Sequence, residues 1–123
     1  MRWMALLVAL GAIGCGSDYN VEFRSLTVPP KTVSLDDDQV QIPASIAVAV
    51  EVTPYEDGEE MGEDVFVELV SQNHGVIGVD VALEEREFVL YGVEPGSTDI
   101  DLYFDDDFVG SINAVITEQK DEL

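Results

Sequence analysis

Residues 86–104 constrain the fold of this chain more than any other stretch, because they contain two runs in which apolar and polar side chains alternate. Phe88 and Leu90 share one face of the first run, and Ile100 and Leu102 share one face of the second. A period of two places alternate side chains on opposite faces of a strand, and half-buried β-strands show this pattern. The stretch therefore predicts two strands.

The connection between these runs contains Pro95 and Gly96, which predict a type II turn because proline fixes φ and glycine accepts a positive φ. Alternating runs also occupy residues 40–52, 65–70 and 108–117. Repeated short strands separated by turn residues are typical of a sandwich. We predict an all-β fold, an immunoglobulin-like antiparallel β-sandwich of about seven strands. The predicted core consists of Ile46, Val48, Val50, Val65, Val67, Leu69, Phe88, Leu90, Ile100, Leu102 and Ile112.

The sequence also predicts the local structure of three further segments. Residues 53–64 are rich in acidic residues and glycine, so we expect a long connection that is the least structured part of the domain. In residues 76–83, Val79, Val81 and Leu83 alternate and are expected to share a face. In the last run, the same alternation places Phe108 on one face with Ile112 and its neighbours.

Residues 92–100, Gly-Val-Glu-Pro-Gly-Ser-Thr-Asp-Ile, resemble the "G-V-x-P-G-x-T-x-I" signature of bacterial immunoglobulin-like domains of group 2. Residues 26–35 resemble the opening strands of that family, and residues 71–80 resemble its "S-x-N-P-x-V-A-x-V" segment, with His74 at the position of the proline. The family is common in adhesins and surface lipoproteins. The resemblance implies an immunoglobulin-like domain at a bacterial cell surface.

The first 14 residues have the features of an export signal, with Arg2 followed by a short apolar run and small residues before Cys15. Residues 12–17 resemble a bacterial lipobox, in which the cysteine is lipidated and becomes the mature N-terminus. An ordinary signal peptidase could cut the same bond, because Ala12 and Gly14 are both small. Lipidation would explain why an exported chain keeps a lone cysteine. We predict a signal peptide over 1–14, lipidated Cys15 and a tether over 15–21, the domain over 22–117 and an acidic tail over 118–123.

The last four residues, Lys-Asp-Glu-Leu at 120–123, are identical to a eukaryotic endoplasmic-reticulum retrieval signal. A secretory-pathway protein retained by this signal is therefore the alternative location. The lipobox and the resemblance to bacterial domains favour the cell envelope, with attachment to the outer membrane or to the periplasmic face of a membrane.

Charge narrows the possible partners. The chain has 26 Asp and Glu against 5 Lys and Arg, a net charge of −21, while 46% of its residues are hydrophobic. Such a chain can fold, but its field repels phosphate backbones, so we expect no nucleic-acid partner. Cations and basic protein surfaces remain compatible with the charge, and solubility alone is a sufficient use for it.

Few residues of the sequence indicate a catalytic or metal-binding role. The single histidine, His74, follows a polar turn sequence without a nucleophile motif, and we predict that the chain is not an enzyme. Calcium is the one candidate cofactor, because clustered aspartates supply the hard oxygen ligands that it prefers. The candidate ligands are Asp99, Asp101, Asp105, Asp106 and Asp107, with a second acidic cluster at residues 36–38. Neither cluster has the spacing of a known calcium loop.

The sequence thus predicts a non-enzymatic, membrane-anchored lipoprotein whose domain acts in binding, adhesion or scaffolding. Its expected partners are the membrane, through the lipid, and a protein or polysaccharide. Phe66, Tyr91 and Tyr103 are the predicted contact residues, because aromatic side chains dominate interface energetics. Pairing along an edge strand is an equally open mode of binding. A calcium-stabilised structural domain is the alternative function.

Overall fold

The computed structural model describes residues 18–28 and 31–118, and all regular structure in these residues is β-strand. The alternating runs of the sequence therefore form strands as predicted. The strands in chain order are β1 (Tyr19–Ser25), β2 (Ser34–Leu35), β3 (Gln39–Pro43), β4 (Ala47–Glu56), β5 (Glu59–Glu60), β6 (Val67–Ser71), β7 (Ile77–Val81), β8 (Glu87–Gly92), β9 (Gly96–Phe104) and β10 (Asp107–Thr117).

The strands form two sheets that pack face to face. One sheet has the order β1-β4-β8-β7, with β5 paired to β4, and the other has the order β2-β3-β10-β9-β6. This arrangement confirms the immunoglobulin-like sandwich, since the sheets correspond to the ABED and CFG sheets of that fold. The described residues form ten strands instead of about seven, because β2 and β5 are short additional strands and β3 is separate from β4. One pairing, between β3 and β10, is parallel.

The core lies between the sheets and contains most of the predicted side chains in a buried position. Ile46 and Val65 are the exceptions, because each is half-buried and packs against the rim of the core. Several fully buried residues were absent from the predicted core, among them Ile42, Val52 and Ile77. Burial of one such aliphatic side chain contributes about 1.5–3 kcal/mol to the hydrophobic driving force.

The sandwich has two distinct ends. At the turn end, the ring of Tyr19 meets the ring of Phe104 edge to face, with the centroids 5.7 Å apart. The β9–β10 turn at Asp105 and Asp106 also lies there, with both residues at positive φ (52° and 72°). At the opposite, crossover end, Ala44 donates its amide to the carbonyl of Thr117. β1 begins at the turn end, inside the segment predicted as a tether, and β10 ends at the crossover end.

The run over residues 40–52 does not form one strand, because the chain changes sheets at the crossover end. Ser45 has φ 72° and donates its amide to the carbonyl of Gly92, so it separates β3 in one sheet from β4 in the other. A Cβ added at Gly92 would lie 2.5 Å from the carbonyl oxygen of Pro43. Glycine therefore permits the close approach that joins the two sheets here.

The acidic segment over residues 53–64 is more regular than expected. β4 extends to Glu56 and forms a hairpin with β5 through Asp57 and Gly58, whose φ values are 53° and 85°. These values fit a type I′ turn, for which Asp-Gly is a favoured sequence. The prediction that this segment is the least structured part of the domain is wrong for residues 53–60, where the Asp-Gly turn signal has more influence than the acidic content.

Two other local predictions fail for topological reasons. Gly96 has φ 151° and pairs with Ile116 within β9, so the residues after β8 cross between sheets and do not form a type II turn. Phe108 is 59% exposed because the register between β9 and β10 shifts between Phe108 and Gly110. A bulge of this kind moves a side chain to the other face of the sheet, and the alternation of Ile112 and the following residues continues only beyond it.

Candidate functional site

A groove opens between β6 and β7, which are edge strands on the same side of the sandwich. The two strands are linked at the crossover end by residues 72–76. Toward the turn end, a groove of about 290 Å³ lies between them, lined by residues 63–68 and 81–86 together with Phe88. This edge groove is concave and contains apolar side chains, as sites that bind ligands or peptides commonly do.

Three apolar side chains of the edge groove are unusually exposed. Phe66 is 57% exposed, Val81 is 77% exposed and Leu83 is fully exposed. Val81 lies opposite the buried Phe88, so it shares the inner face of its sheet. The predicted alternation therefore gives the correct face for Val81, which points inward. Among the described residues, however, no side chain of the core covers Val81 at that position, and it remains exposed. Only Val79 of the three packs against the core, and it remains half-buried.

Arg86 fixes the shape of the edge groove. Its Nη2 donates to the carbonyl oxygen of Val65 at 3.0 Å and also to that of Gly62, and its own carbonyl oxygen accepts the amide of Val52 at 2.8 Å. The backbone of Arg86 is left-handed, with φ 65°, which is uncommon outside glycine, asparagine and aspartate. The guanidinium therefore joins the segment before β6 to the turn before β8.

An acidic pocket of about 390 Å³ adjoins the edge groove on the other side of Arg86. Its lining comprises residues 51–53, Glu60, Glu63 and residues 84–86, so the two depressions share one wall. Within the described residues, Arg24 and Glu51 form the one salt bridge, at 2.6 Å. The remaining carboxylates of the pocket create a negative field beside an apolar surface.

The predicted calcium ligands do not converge. Asp101 accepts hydrogen bonds from Gln72 Nε2 at 2.7 Å and from Ser111 Oγ at 2.8 Å. Asp105 lies four residues further along the chain, in the turn after β9, on the order of 10 Å from Asp101, and its carboxylate accepts the amide of Phe66 at 2.9 Å.

The other candidate ligands are also spread along β9 and the turn that follows. Asp99 lies farther toward the crossover end, beside Asn113, while Asp106 and Asp107 are exposed at the turn. In the part of the chain that the structure describes, no three acidic, histidine or cysteine side chains form a group that could hold a metal ion. Calcium binding at residues 99–107 or at residues 36–38 remains a prediction.

The three predicted contact residues do not form one surface. Phe66 is exposed and lines the edge groove. Tyr103 is half-buried on the outer face of the second sheet, where its ring meets Phe108 at 5.7 Å. Tyr91 belongs to the first sheet and covers Gly78, since a Cβ at that glycine would lie 2.0 Å from the Tyr91 ring. Only Phe66 therefore contributes to the edge groove.

Several groove residues were not predicted to belong to a functional site, chiefly Leu83, Arg86 and the glutamates at 84 and 85. The available signal was the position of Val81 and Leu83 at the end of an alternating run, directly before an acidic pair. That signal indicates an inward direction for Val81 but does not show whether another sheet covers it.

Cys15 and the Lys-Asp-Glu-Leu segment at 120–123 lie outside the described residues. Nothing helical within 18–28 and 31–118 is long and apolar enough to cross a membrane. His74 is exposed in the turn between β6 and β7, at the end of the sandwich opposite the edge groove.

Comparison with known proteins gives a match among solved structures. No family model matches the sequence, and no curated protein matches it at a significant level. Among solved structures, the chain is similar to domains 4 and 5 of the S-layer protein SbsC, with a TM-score of 0.51 and 16% sequence identity. The match covers 85% of this chain and 55% of the other, so this chain spans about half of that structure. At this level of identity the similarity shows the fold, an all-β sandwich domain.

Proposed function

We propose that the chain is a non-enzymatic, lipid-anchored protein of the bacterial cell envelope, whose immunoglobulin-like domain acts as a binding or scaffolding module. The observation that carries the binding role is the edge groove, where Val81 and Leu83 are exposed beside a set of carboxylates. Apolar surface left open on a folded domain is typical of interaction sites.

Two observations support the location. The fold is similar to that of S-layer protein domains, and the motif at residues 92–100 resembles bacterial immunoglobulin-like domains of group 2. Fold similarity alone does not specify function, so the cell envelope is inferred from the fold and the sequence motifs together.

Cys15 supports the anchor. A single acyl chain binds a bilayer only marginally at about 0.8 kcal/mol per buried CH₂, whereas the two or three chains of a lipoprotein cysteine give stable attachment. The described domain is acidic, and anionic headgroups repel it. We therefore expect the lipid to supply all of the membrane attachment.

The absence of enzymatic activity is also part of the proposal. The residues that line the edge groove include no serine, threonine, cysteine, histidine or lysine, and its ionisable groups are carboxylates and Arg86. A binding site needs an apolar surface and complementary charge, and these residues supply both.

The anchor is tested by expressing the full chain in a bacterial host and separating membranes from the soluble fraction. We expect the wild-type chain in the membrane fraction, Cys15→Ser in the soluble fraction, and the neighbouring control Ser17→Ala on the membrane. Mass spectrometry of the N-terminal peptide should show the mass of two or three acyl chains on Cys15.

Either of two results contradicts the anchor. A soluble wild-type chain would favour cleavage by an ordinary signal peptidase, or retrieval through residues 120–123 in a eukaryotic host. A Cys15→Ser variant that stays on the membrane would show that another part of the chain holds it there.

A further inference from the structure

We infer that β7 accepts an extended segment of a partner protein as an added strand, and that this segment alternates apolar and basic residues. The inference rests on the binding role proposed above and specifies its site and its ligand class. It does not depend on the lipid anchor.

Among residues 18–28 and 31–118, β8 is the one strand that pairs with β7, so the other side of the β7 main chain is unpaired there. The carbonyl of Val76 accepts the amide of Val93 at 2.8 Å, and the amide of Ala82 donates to the carbonyl of Glu87 at 2.9 Å. The even-numbered residues from 76 to 82 therefore direct their main-chain amide and carbonyl groups toward β8. In an antiparallel pair the intervening residues direct their amide and carbonyl groups the other way. At Val79 and Val81 these groups therefore point away from β8, toward the open side. A strand laid there would extend the first sheet by the usual ladder.

The side chains at this edge set the pattern of the partner. Val81 faces inward, toward the edge groove, and an added strand would place every second side chain beside it. Those positions require apolar residues, which would cover Val81, Leu83 and Phe66. The exposure of these three side chains is the surface that such a strand would remove from water.

The alternate positions of the added strand would face outward and meet negative charge. Asp80 is exposed on the outer face of β7, and Glu84 and Glu85 follow at its end. Directly opposite side chains on paired strands are about 4.5–5.5 Å apart, within reach of an ion pair. Lysine or arginine at the outward positions complements these carboxylates.

Charge also decides between possible occupants. A second copy of this chain would bring another net charge of −21 to an already acidic edge, which disfavours self-pairing. A compact metal ion needs converging ligands, and the described acidic side chains do not provide them. Long cationic side chains on a protein strand can reach separated carboxylates, so a basic strand fits best.

The experiment measures binding of a synthetic decapeptide of alternating valine and lysine to the purified full chain in non-ionic detergent, by calorimetry at low salt. Three peptide controls separate the contributions. One has glutamate in place of lysine, one has the same composition in two blocks, and one carries N-methyl groups on the amides of one edge. We expect binding of the alternating peptide, at least tenfold weaker binding of each control, and a loss of affinity at higher salt.

Variants of the chain locate the site. Val81→Lys places a charge on the apolar wall and should weaken peptide binding at least tenfold. Val28→Lys is the matched control, because Val28 is also an exposed valine (96% exposed) but lies outside the edge groove. Glu84→Gln with Glu85→Gln should reduce both affinity and its salt dependence, whereas Asp36→Asn with Asp37→Asn should alter affinity less. Unchanged melting temperatures would show that each variant is folded.

The inference is overturned if the alternating peptide does not bind, if Val81→Lys and Val28→Lys bind it equally, or if the N-methylated peptide binds as well as the unmodified one. Concentration-dependent dimerisation through the same edge, abolished by Val81→Lys, would assign the site to a second copy and also overturn it. Because all measurements use purified chain in detergent, they are independent of the fractionation result for Cys15.

Discussion

The sandwich has two sides at which its sheets end in edge strands, and apolar side chains fill these two sides differently. On one side, β1 contributes Val21, which is fully buried, and Tyr19, whose ring packs edge to face on Phe104 at the turn end. On the other side, the corresponding region between β6 and β7 exposes Phe66 and Val81. On the side of β1, here called the closed side, an aromatic side chain fills the space between the sheets. On the side of β6 and β7, the open side, Phe66 points out of the core.

This contrast shows that an edge can have inward-facing apolar residues without a core to receive them. Val81 lies on the same face as Phe88, yet its exposure is 77% against 3% for Phe88. Covering such a surface is worth about 25 cal/mol per Å² of apolar area. On the closed side the chain itself gains this free energy, and on the open side it is available to a partner.

The largest expected effect comes from truncating the aromatic pair of the closed side. Phe104→Ala should lower the free energy of unfolding by about 3–5 kcal/mol, because it leaves a cavity beneath Tyr19. Phe66→Ala, the matched truncation on the open side, should change it by only about 0.5 kcal/mol. Denaturation in urea measures both values.

Equal losses in the free energy of unfolding for Phe104→Ala and Phe66→Ala would contradict the proposed difference between the two sides. A large loss for Phe66→Ala would mean that the open side is part of the stabilising core. Binding of the alternating valine-lysine peptide sharpens the test, since Phe66→Ala should weaken this binding more than Phe108→Ala, which removes an aromatic ring of similar exposure outside the edge groove.

An intermediate effect is expected at Arg86, which holds the wall of the edge groove through two backbone carbonyl groups. Arg86→Met removes both hydrogen bonds and should reduce the free energy of unfolding by about 1–3 kcal/mol. Arg86→Lys keeps the charge but loses the planar fork, so it should recover only part of this loss. Chemical denaturation of the three proteins gives the comparison.

If Arg86→Lys is as stable as wild type, charge alone accounts for the role of Arg86. Arg24→Met is the control, since its salt bridge with Glu51 lies on the exposed surface and is expected to contribute less than about 1 kcal/mol.

The smallest expected effect concerns the closed side at high pH. Partial burial and the neighbouring Glu22 raise the pKa of Tyr55 above its ordinary value of 10.0, and its hydroxyl donates to Glu22 Oε1 at 3.3 Å. Folding therefore favours the neutral phenol, and this contribution is complete below about pH 10, the pKa in the unfolded chain. It is lost as the pH rises from about 10 through the folded pKa, so stability decreases in that window.

NMR of ¹³C-labelled tyrosine rings can follow Tyr55 separately from the other tyrosines. Glu22→Gln should move the pKa of Tyr55 down toward 10.0, whereas Glu68→Gln, opposite Tyr103 on the other sheet, should leave it in place. An unchanged midpoint in Glu22→Gln would remove Glu22 as a cause of the shift.

The sequence was informative where the pattern of a strand and its environment agree. Phe88, Leu90, Ile100 and Leu102 alternate in the sequence and are buried in the structure, because sheets cover them on the inner face. The sandwich was therefore predictable from alternation and turn residues.

Other features depend on relations between distant residues. The alternating run over 40–52 gives no sign that Ser45 adopts φ 72° and sends β3 and β4 to different sheets. The register shift after Phe108 likewise depends on how two strands pair. The edge groove was not predictable for the same reason, since exposure of Val81 reflects the extent of the opposing sheet and not the sequence around it.

The positions of β1 and β10 have a mechanical consequence. β1 begins at the turn end and β10 finishes at the crossover end, so a tension applied between Tyr19 and Thr117 acts along the strands. β1 is held to β4 by a ladder that runs from Tyr19 to Ser25, and β10 is held on both sides by β3 and β9. Pulling along these ladders loads their hydrogen bonds in shear, so that many rungs share the force instead of separating one after another.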